Sequence, residues 1–165
     1  MTLNCNGKII NFNTQKIMGI LNISDDSFYD GGKYNKVESA LKQTDSMIKA
    51  GANFIDLGAY STKPGAKPVS VEAEKKRLLP VLERLTKIHP KTHFSIDTFR
   101  STVAADALDR GAAMINDISG GQFDNKMMNT VGYYNVPYVL MHTSGKPETM
   151  QKNPKYKDVV KEVIY

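Results

Sequence analysis

Short apolar runs alternate with longer amphipathic stretches along most of the chain. The apolar runs are compact, which is typical of strands that are buried on both faces of a parallel sheet. Such strands are predicted at residues 16–21, 54–58, 93–96, 113–117 and 137–141. Because helical patterns separate them, the chain is predicted to form βα units with parallel strands and right-handed crossovers.

The helical stretches place apolar residues at the three- and four-residue spacing of an amphipathic helix. One such stripe runs from Val37 to Gly51, and a second helix is predicted to begin at Ser70, which suits a helix N-cap. Pro80 lies inside this second helix and predicts a bend or a break. Further helices are predicted from about residue 101, over residues 125–134 and from about residue 156.

Two local patterns complete the organisation of the chain. A β-hairpin is predicted over residues 1–15, because Asn6-Gly7 is a strong two-residue turn signal between two short apolar runs. Residues 51–56 (GANFID) resemble residues 111–116 (GAAMIN), which indicates a repeated unit. In both, a helix is predicted to end at a glycine before the chain re-enters the sheet.

Two architectures fit this α/β pattern, and the pattern alone does not choose between them. One is a doubly wound sheet of five strands, which a chain of 165 residues is long enough to complete. The other is a (βα)8 TIM barrel, which needs about 250 residues. In that case residues 16–165 supply only the first five βα units, as the N-terminal portion of a single domain that begins with the hairpin.

Polar residues follow each predicted strand at its carboxyl end. Parallel strands present these ends at one edge of the sheet, where ligand sites of both architectures lie. One such residue alone is more typical of a helix cap, whereas a series from successive strands predicts a binding site. The residues are Asn22, Ser61 with Thr62, Asp97 with Thr98, Asn116 with Asp117, and His142.

The loops at residues 25–32 and 61–66 are long and rich in small, polar and turn-forming residues. Loops of this composition are predicted to fold over a ligand, since mobile lids need weak packing of their own. Neither loop matches a Walker phosphate loop or a G-x-G-x-x-G fingerprint. That absence counts against dinucleotide binding and therefore against the doubly wound sheet.

The polar residue types indicate what the site would bind. A carboxylate such as Asp97 accepts two N–H bonds, and an amide such as Asn116 both donates and accepts. Together they match the edge of a 2-amino-pyrimidinone ring. Asn22 and Thr62 offer oxygen atoms that suit a Mg²⁺ ion which keeps its waters and binds phosphate.

Composition and charge exclude several classes of protein. The net charge is +5, from 22 Lys and Arg against 17 Asp and Glu, but the basic residues are scattered. This favours a small anionic substrate over nucleic acid. No apolar run reaches the ~20 residues of a membrane span, and no signal-peptide core is present. The single Cys5 fits a reducing cytoplasm.

The motifs together resemble those of bacterial dihydropteroate synthases, the folate-pathway enzymes that sulfonamides inhibit. The resemblance runs from about Ile17 to Tyr165. It is carried by Met18-Gly19-Ile20-Leu21-Asn22-Ile23 with Asp26-Ser27-Phe28-x-Asp30-Gly31-Gly32, by Ile55-Asp56-Leu57-Gly58 with Ser61-Thr62-Lys63-Pro64-Gly65-Ala66, by Ser95-Ile96-Asp97-Thr98, by Ile115-Asn116-Asp117-Ile118, and by Leu140-Met141-His142 with Gly145-x-Pro147-x-Thr149-Met150-Gln151.

The resemblance implies a (βα)8 barrel and a transferase reaction that requires Mg²⁺. In this reaction p-aminobenzoate displaces pyrophosphate from 6-hydroxymethyl-7,8-dihydropterin pyrophosphate to give 7,8-dihydropteroate. The resemblance also implies a homodimer in the full-length form; the cytoplasmic location and the absence of nucleic-acid and membrane partners are expected from the composition above. The implied site residues are Asp97 and Asn116 for the pterin ring, Asn22 for the metal and pyrophosphate, Thr62 for the methylene pyrophosphate, Phe28 and Pro64 for p-aminobenzoate, Lys63 with Asp30 for loop closure, and Met141 for substrate.

The sequence also departs from the family's pattern. Ser24-Asp25 replaces the usual Thr-Pro, and Lys63 replaces an arginine, which keeps the charge but loses the bidentate fork. The motifs of the sixth, seventh and eighth strands are absent, and Tyr165 ends an amphipathic run without a stop signal. A fragment of a longer protein is therefore expected, with its first and fifth barrel strands as open edges.

Two other functions stay open at this point. A pterin-binding methyltransferase of related barrel fold would hold its ligand with a similar Asp and Asn set. A truncated chain that binds pterin without catalysis is the second alternative. The loop motifs around Asp30 and Thr62 favour the synthase.

Overall fold

Two sheets organise the fold, a small antiparallel hairpin and a larger parallel sheet. The structure is a computed structural model that describes residues 1–23, 32–60, 68–143 and 155–164, and for residues 32–36 only the backbone. The hairpin consists of β1 (Thr2–Cys5) and β2 (Lys8–Asn11). The parallel strands are β3 (Met18–Asn22), β4 (Phe54–Gly58), β5 (His93–Asp97), β6 (Met114–Asp117) and β7 (Tyr138–Leu140).

The helices lie in the intervals that the sequence predicts. They are α1 (Gly32–Lys49), α2 (Val71–Ile88), α3 (Ser101–Leu108), α4 (Met127–Tyr134) and α5 (Val159–Ile164). Ser70 caps α2, since its side chain accepts from the Ala73 amide at 3.2 Å. Of the bend or break predicted at Pro80, the break is wrong, because α2 runs through this residue, and the bend stays a prediction. Pro80 is exposed, so the carbonyl that loses its partner can be hydrated. In the described residues, no helix is long and apolar enough to cross a membrane.

The strand order decides between the two architectures. The strands pair in chain order, β3-β4-β5-β6-β7, so β3 and β7 form the edges of the described sheet. In a doubly wound sheet, the strand order instead reverses at a switch point, and helices cover both faces of the sheet. Here a single core joins α1, α2, α3 and α4 to one face of the sheet. This is the arrangement of a barrel wall, and the prediction of open edges is confirmed for β3 and β7.

Alternation along the strands divides the sheet into two faces of different chemistry. Leu21, Leu57, Ile96 and Ile115 are fully buried under the helices. Their neighbours in sequence point to the opposite face, because successive side chains of a strand alternate. Those neighbours are Ile20, Asn22, Asp56, Gly58, Ser95, Asp97, Met114 and Asn116. The face away from the helices is therefore mostly polar.

The hairpin packs against the amino ends of the parallel strands. Cys5 forms a second buried cluster with Phe54, Ala113 and Met114, and the partly buried Leu3, Ile10, Phe12 and Met18 join it. The Lys8 ammonium also donates to the carbonyl of Pro90 at 2.7 Å. The hairpin thus covers the amino end of the wall and leaves the carboxyl end of the strands for a site.

Candidate functional site

One row of aligned residues crosses four strands at the carboxyl end of the sheet. The register pairs Asn22 with Gly58, Gly58 with Asp97 and Asp97 with Asn116. Gly58 has no side chain, and a Cβ built there would lie 3.2 Å from Asp97 Oδ2 and 3.5 Å from Asn22 Oδ1. Both polar side chains therefore lean over the glycine. The structure brings Asn22, Asp97 and Asn116 together, as the strand ends predict.

A second row, one pleat below, adds Asp56 and Ser95. The register pairs these two residues directly. The Asn116 amide nitrogen Nδ2 donates to Asp56 Oδ2 at 2.9 Å, so the two rows are joined. Asp56 is only 5% exposed. It was not among the predicted site residues, although it stands where Asn116 stands in the repeated unit, and that correspondence was the available signal.

Three buried polar atoms on this face have no hydrogen-bond partner within the described part of the chain. They are Asp56 Oδ1, Ser95 Oγ and Asn116 Oδ1. Leaving a buried polar group unpaired costs about 1–3 kcal/mol, so such groups usually have a partner. Two of the three atoms are pure acceptors and the third is a hydroxyl. The face is therefore suited to a flat ligand with several N–H donors.

The carboxyl group of Asp97 is tuned to neutral pH. Burial, followed by the nearby carboxylates of Asp56, Glu74 and Asp117, raises its pKa to about 7. Near neutrality the group is therefore a mixture of its protonated and ionised forms. A ligand that donates N–H bonds would favour the ionised form and lower this pKa.

A buried ion pair lies directly behind the site. Glu74 is fully buried, and it accepts from Thr98 Oγ1 at 2.7 Å and from Arg100 Nη1 at 2.5 Å. Arg100 also donates to the carbonyl of Val69 at 2.6 Å. Its guanidinium lies 5.2 Å from the ring centres of both Tyr60 and Phe99. The pair thus holds the backbone that follows Asp97 and both flanks of residues 61–67.

Asp117 does not share the polar face of its neighbour Asn116. Its buried carboxylate accepts from Ser119 N at 2.7 Å, Ser119 Oγ at 2.8 Å, Gly121 N at 3.1 Å and Tyr138 OH at 2.7 Å. Burial, followed by the hydrogen bond to Asp117, raises the pKa of the Tyr138 hydroxyl. Asp117 therefore shapes the turn after β6.

The remaining predicted residues lie in different positions. Met141 follows β7 and is 41% exposed, and the exposed His142 has its Nε2 atom 3.2 Å from the Tyr156 hydroxyl oxygen. Within the described part of the chain, neither side chain hydrogen-bonds to the polar face, so their site roles stay predictions. The loop residues lie outside the described residues and also stay predictions: Phe28, Asp30, Ser61, Thr62, Lys63 and Pro64.

The fit of a metal ion rests on one residue. Among the described residues, no group of three or more His, Cys, Asp or Glu side chains is placed to hold a metal. Asn22 offers a single amide oxygen at the edge of the row. This fits Mg²⁺, which keeps several waters and takes few protein ligands when it binds substrate phosphates.

Comparisons with known proteins point to one family. Residues 18–165 match the family described as pterin binding enzyme. The dihydropteroate synthase of Bacillus subtilis is 47% identical over 132 residues, which cover 80% of this chain and 45% of that protein. The mitochondrial folate synthesis bifunctional protein of Pisum sativum is 47% identical over 152 residues, covering 89% of this chain and 29% of that protein. The chain therefore spans less than half the length of either relative.

Solved structures agree with this chain in fold. The dihydropteroate synthase of Xanthomonas albilineans with 4-aminobenzoic acid has a TM-score of 0.86 at 39% identity, over 98% of this chain and 56% of that one. The Yersinia pestis enzyme with a sulfonamide drug has a TM-score of 0.88 at 36% identity, over 99% of this chain and 59% of that one. The Burkholderia cenocepacia enzyme with 7,8-dihydropteroate has a TM-score of 0.81 at 35% identity, over 98% of this chain and 54% of that one.

Proposed function

We propose that this chain, which belongs to the family of pterin-binding enzymes, is part of a dihydropteroate synthase. In the proposed reaction, the amine nitrogen of p-aminobenzoate forms a bond to the methylene carbon of 6-hydroxymethyl-7,8-dihydropterin pyrophosphate. The bond from that carbon to the pyrophosphate oxygen breaks, and the leaving group takes the electron pair. The nitrogen then releases a proton, which gives 7,8-dihydropteroate.

The acceptor-rich polar face is the observation that carries the proposal. A dihydropterin presents its 2-amino group and ring N–H groups along one edge. Asp97 offers a carboxylate to that edge, and Asn116 offers the buried Oδ1 atom that lacks a partner in the described chain. A ring with acceptors in those positions would leave the buried oxygens unpaired, which explains how the face would select a pterin.

The same carboxylate would assist the departure of pyrophosphate. Positive charge develops on the methylene carbon and the pterin ring as the carbon–oxygen bond breaks. An ionised Asp97, held in position by its strand, stabilises that charge without reorganising. Pterin N–H donors lower the pKa of Asp97 from its value of about 7, so binding would ionise the group before the chemical step.

The proposal assigns Mg²⁺ to the pyrophosphate side of the face. Asn22 would hold the ion with its amide oxygen, and the substrate phosphates and water would complete the shell. When bound, Mg²⁺ neutralises charge on the leaving group. The roles of Thr62 and Lys63 beside the pyrophosphate, and of Phe28 and Pro64 around p-aminobenzoate, remain part of the proposal on the resemblance of their motifs.

Pyrophosphate release with both substrates tests the proposal, measured on this chain and on any longer protein from the same gene. Pyrophosphate release supports the proposal if Asp97→Ala removes both this activity and pterin binding. Asp109→Ala is a matched control, because Asp109 is an exposed carboxylate bonded to Tyr134 and lies after α3, away from the strand carboxyl ends. Pterin binding without pyrophosphate release in any form would refute the synthase and favour a pterin-binding methyltransferase or a non-catalytic binder.

Three finer parts of the proposal need their own measurements. Sulfonamide binding is proposed because the related Yersinia pestis enzyme is described in complex with a sulfonamide drug. Competition between a sulfonamide and p-aminobenzoate in the pyrophosphate assay would test it. A homodimer is proposed on the resemblance alone, and light scattering would test it. A cytoplasmic location is proposed because a single cysteine fits a reducing compartment, and cell fractionation would test it.

A further inference from the structure

Asp56 and Asn116 meet across a strand that lies between them. Asp56 is on β4 and Asn116 on β6, and β5 separates the two strands in the sheet. Their side chains nevertheless form a 2.9 Å hydrogen bond, from Asn116 Nδ2 to Asp56 Oδ2. We propose that Asp56 is a positioning residue that sets the orientation of the Asn116 amide for the ligand. This inference rests on the proposed function, in which Asn116 contacts the pterin.

An asparagine amide has a donor end and an acceptor end, and a half turn of the group exchanges them. The carboxylate oxygen Oδ2 of Asp56 accepts a hydrogen bond, so it pairs with the Nδ2 end of Asn116. The Oδ1 end must then face away from Asp56. That oxygen is buried and has no partner in the described part of the chain. Asp56 thereby determines that Asn116 presents an acceptor to an N–H group of the ligand.

The residue between the two strands makes this contact possible. Ser95 on β5 is the register partner of Asp56, and its side chain is the smallest that carries a hydroxyl. Adjacent strands are about 4.8 Å apart, so β4 and β6 are separated by roughly twice that distance. A larger residue at position 95 would stand between the carboxylate and the amide. The inward curvature of a barrel wall also shortens the distance between their side chains.

Direct contact with the ligand is the competing role for Asp56. Its second oxygen, Oδ1, is also buried without a partner among the described residues. The two roles differ in one measurable way. A positioning residue acts through Asn116, so its removal has no further effect once Asn116 is truncated, whereas a direct contact contributes in both backgrounds.

A double-mutant cycle separates these roles. Pterin affinity is measured for the wild-type chain, Asp56→Ala, Asn116→Ala and the double variant, and Asp109→Ala serves as the charge-matched control. We expect Asp56→Ala to weaken binding about tenfold, the equivalent of one hydrogen bond of about 1.4 kcal/mol. In the Asn116→Ala background the same change should have less than a twofold effect. An equal loss in both backgrounds, or no loss in the wild type, would overturn the inference.

A conservative variant guards against a general loss of structure. Asp56→Asn keeps the shape and can still accept from Asn116, but its amide also permits the reversed pairing. We expect affinity between those of the wild type and Asp56→Ala. If Asp56→Asn binds as weakly as Asp56→Ala, while circular dichroism shows the wild-type fold for both, hydrogen bonding to Asn116 is not the role of Asp56.

Side-chain amide resonances test the same bond without any ligand. In the wild-type chain, the Asn116 NH₂ protons should exchange at least tenfold more slowly than those of the exposed Asn129. Asp56→Ala should remove that protection, and unchanged protection would overturn the inference. If the wild-type chain binds no pterin but Asn116 shows the predicted protection, the proposed function has failed and the positioning contact has not.

Discussion

Removing the charge of Arg100 should destabilise the chain more than most single substitutions. In Arg100→Met, the fully buried Glu74 keeps its hydrogen bond from Thr98 but loses its 2.5 Å ion-pair partner. Breaking a buried pair from one side costs about 3–5 kcal/mol, because it leaves an uncompensated charge. We expect a loss in the lower part of this range, about 3–4 kcal/mol, because Glu74 keeps its hydrogen bond from Thr98.

Urea unfolding at pH 7, followed by circular dichroism, gives the measurement. With a slope of about 2 kcal/mol/M, the midpoint should fall by roughly 1.5–2 M.

A second substitution separates the buried charge from the other contacts of Arg100. Glu74→Gln in the Arg100→Met background replaces the uncompensated carboxylate with a neutral amide that can still accept from Thr98. We expect it to restore more than half of the lost stability, since a neutral pair in place of a buried ion pair is often tolerated. The reasoning is refuted if Arg100→Met costs less than about 1 kcal/mol, or if the double variant is no more stable than Arg100→Met.

Three further predictions concern the site and one helix end. The Asp97 pKa of about 7 exceeds its ordinary value of 3.8, so the native state holds a proton that the unfolded chain releases. The proton on Asp97 therefore stabilises the folded chain fully below about pH 4, and this stabilisation is lost as pH rises through 7. In urea unfolding, the free energy of unfolding of the wild-type chain should fall over this pH range, and that of Asp97→Asn should not. A wild-type chain without this fall would contradict the prediction. Gly58→Ala should weaken pterin binding several-fold in titration calorimetry, because the new Cβ would lie 3.2 Å from Asp97 Oδ2. Unchanged affinity would show that the Asp97 side chain can move aside, and would contradict the prediction. Asn135 ends α4 in the left-handed region, with φ of 51°. Because alanine is strained there and glycine is not, Asn135→Ala should lower the free energy of unfolding by about 1 kcal/mol in thermal unfolding, and Asn135→Gly should not. Equal effects of the two substitutions would refute the assigned backbone strain.

Local patterns were sufficient for the positions of most elements. Residues 54–58 were predicted as a strand and form β4, and the helix predicted from Ser101 is α3. The polar residues at strand ends also predicted that Asn22, Asp97 and Asn116 would meet. These predictions succeed because periodicity and turn residues act over short stretches of chain, and parallel strands bring their carboxyl ends to one edge.

The choice of architecture and the selection of site residues depended on contacts that no local pattern contains. Chain-order pairing and helices on one face of the sheet decided for a barrel wall. Asp56 and Asn116 are 60 residues apart and bond only because a curved sheet brings two non-adjacent strands together over Ser95. Asp117 follows Asn116 directly, yet it faces the other way and holds a turn. The sequence by itself determined which residues end the strands. The tertiary structure decided which of them share a face, because side-chain direction, register and curvature are properties of the assembled sheet.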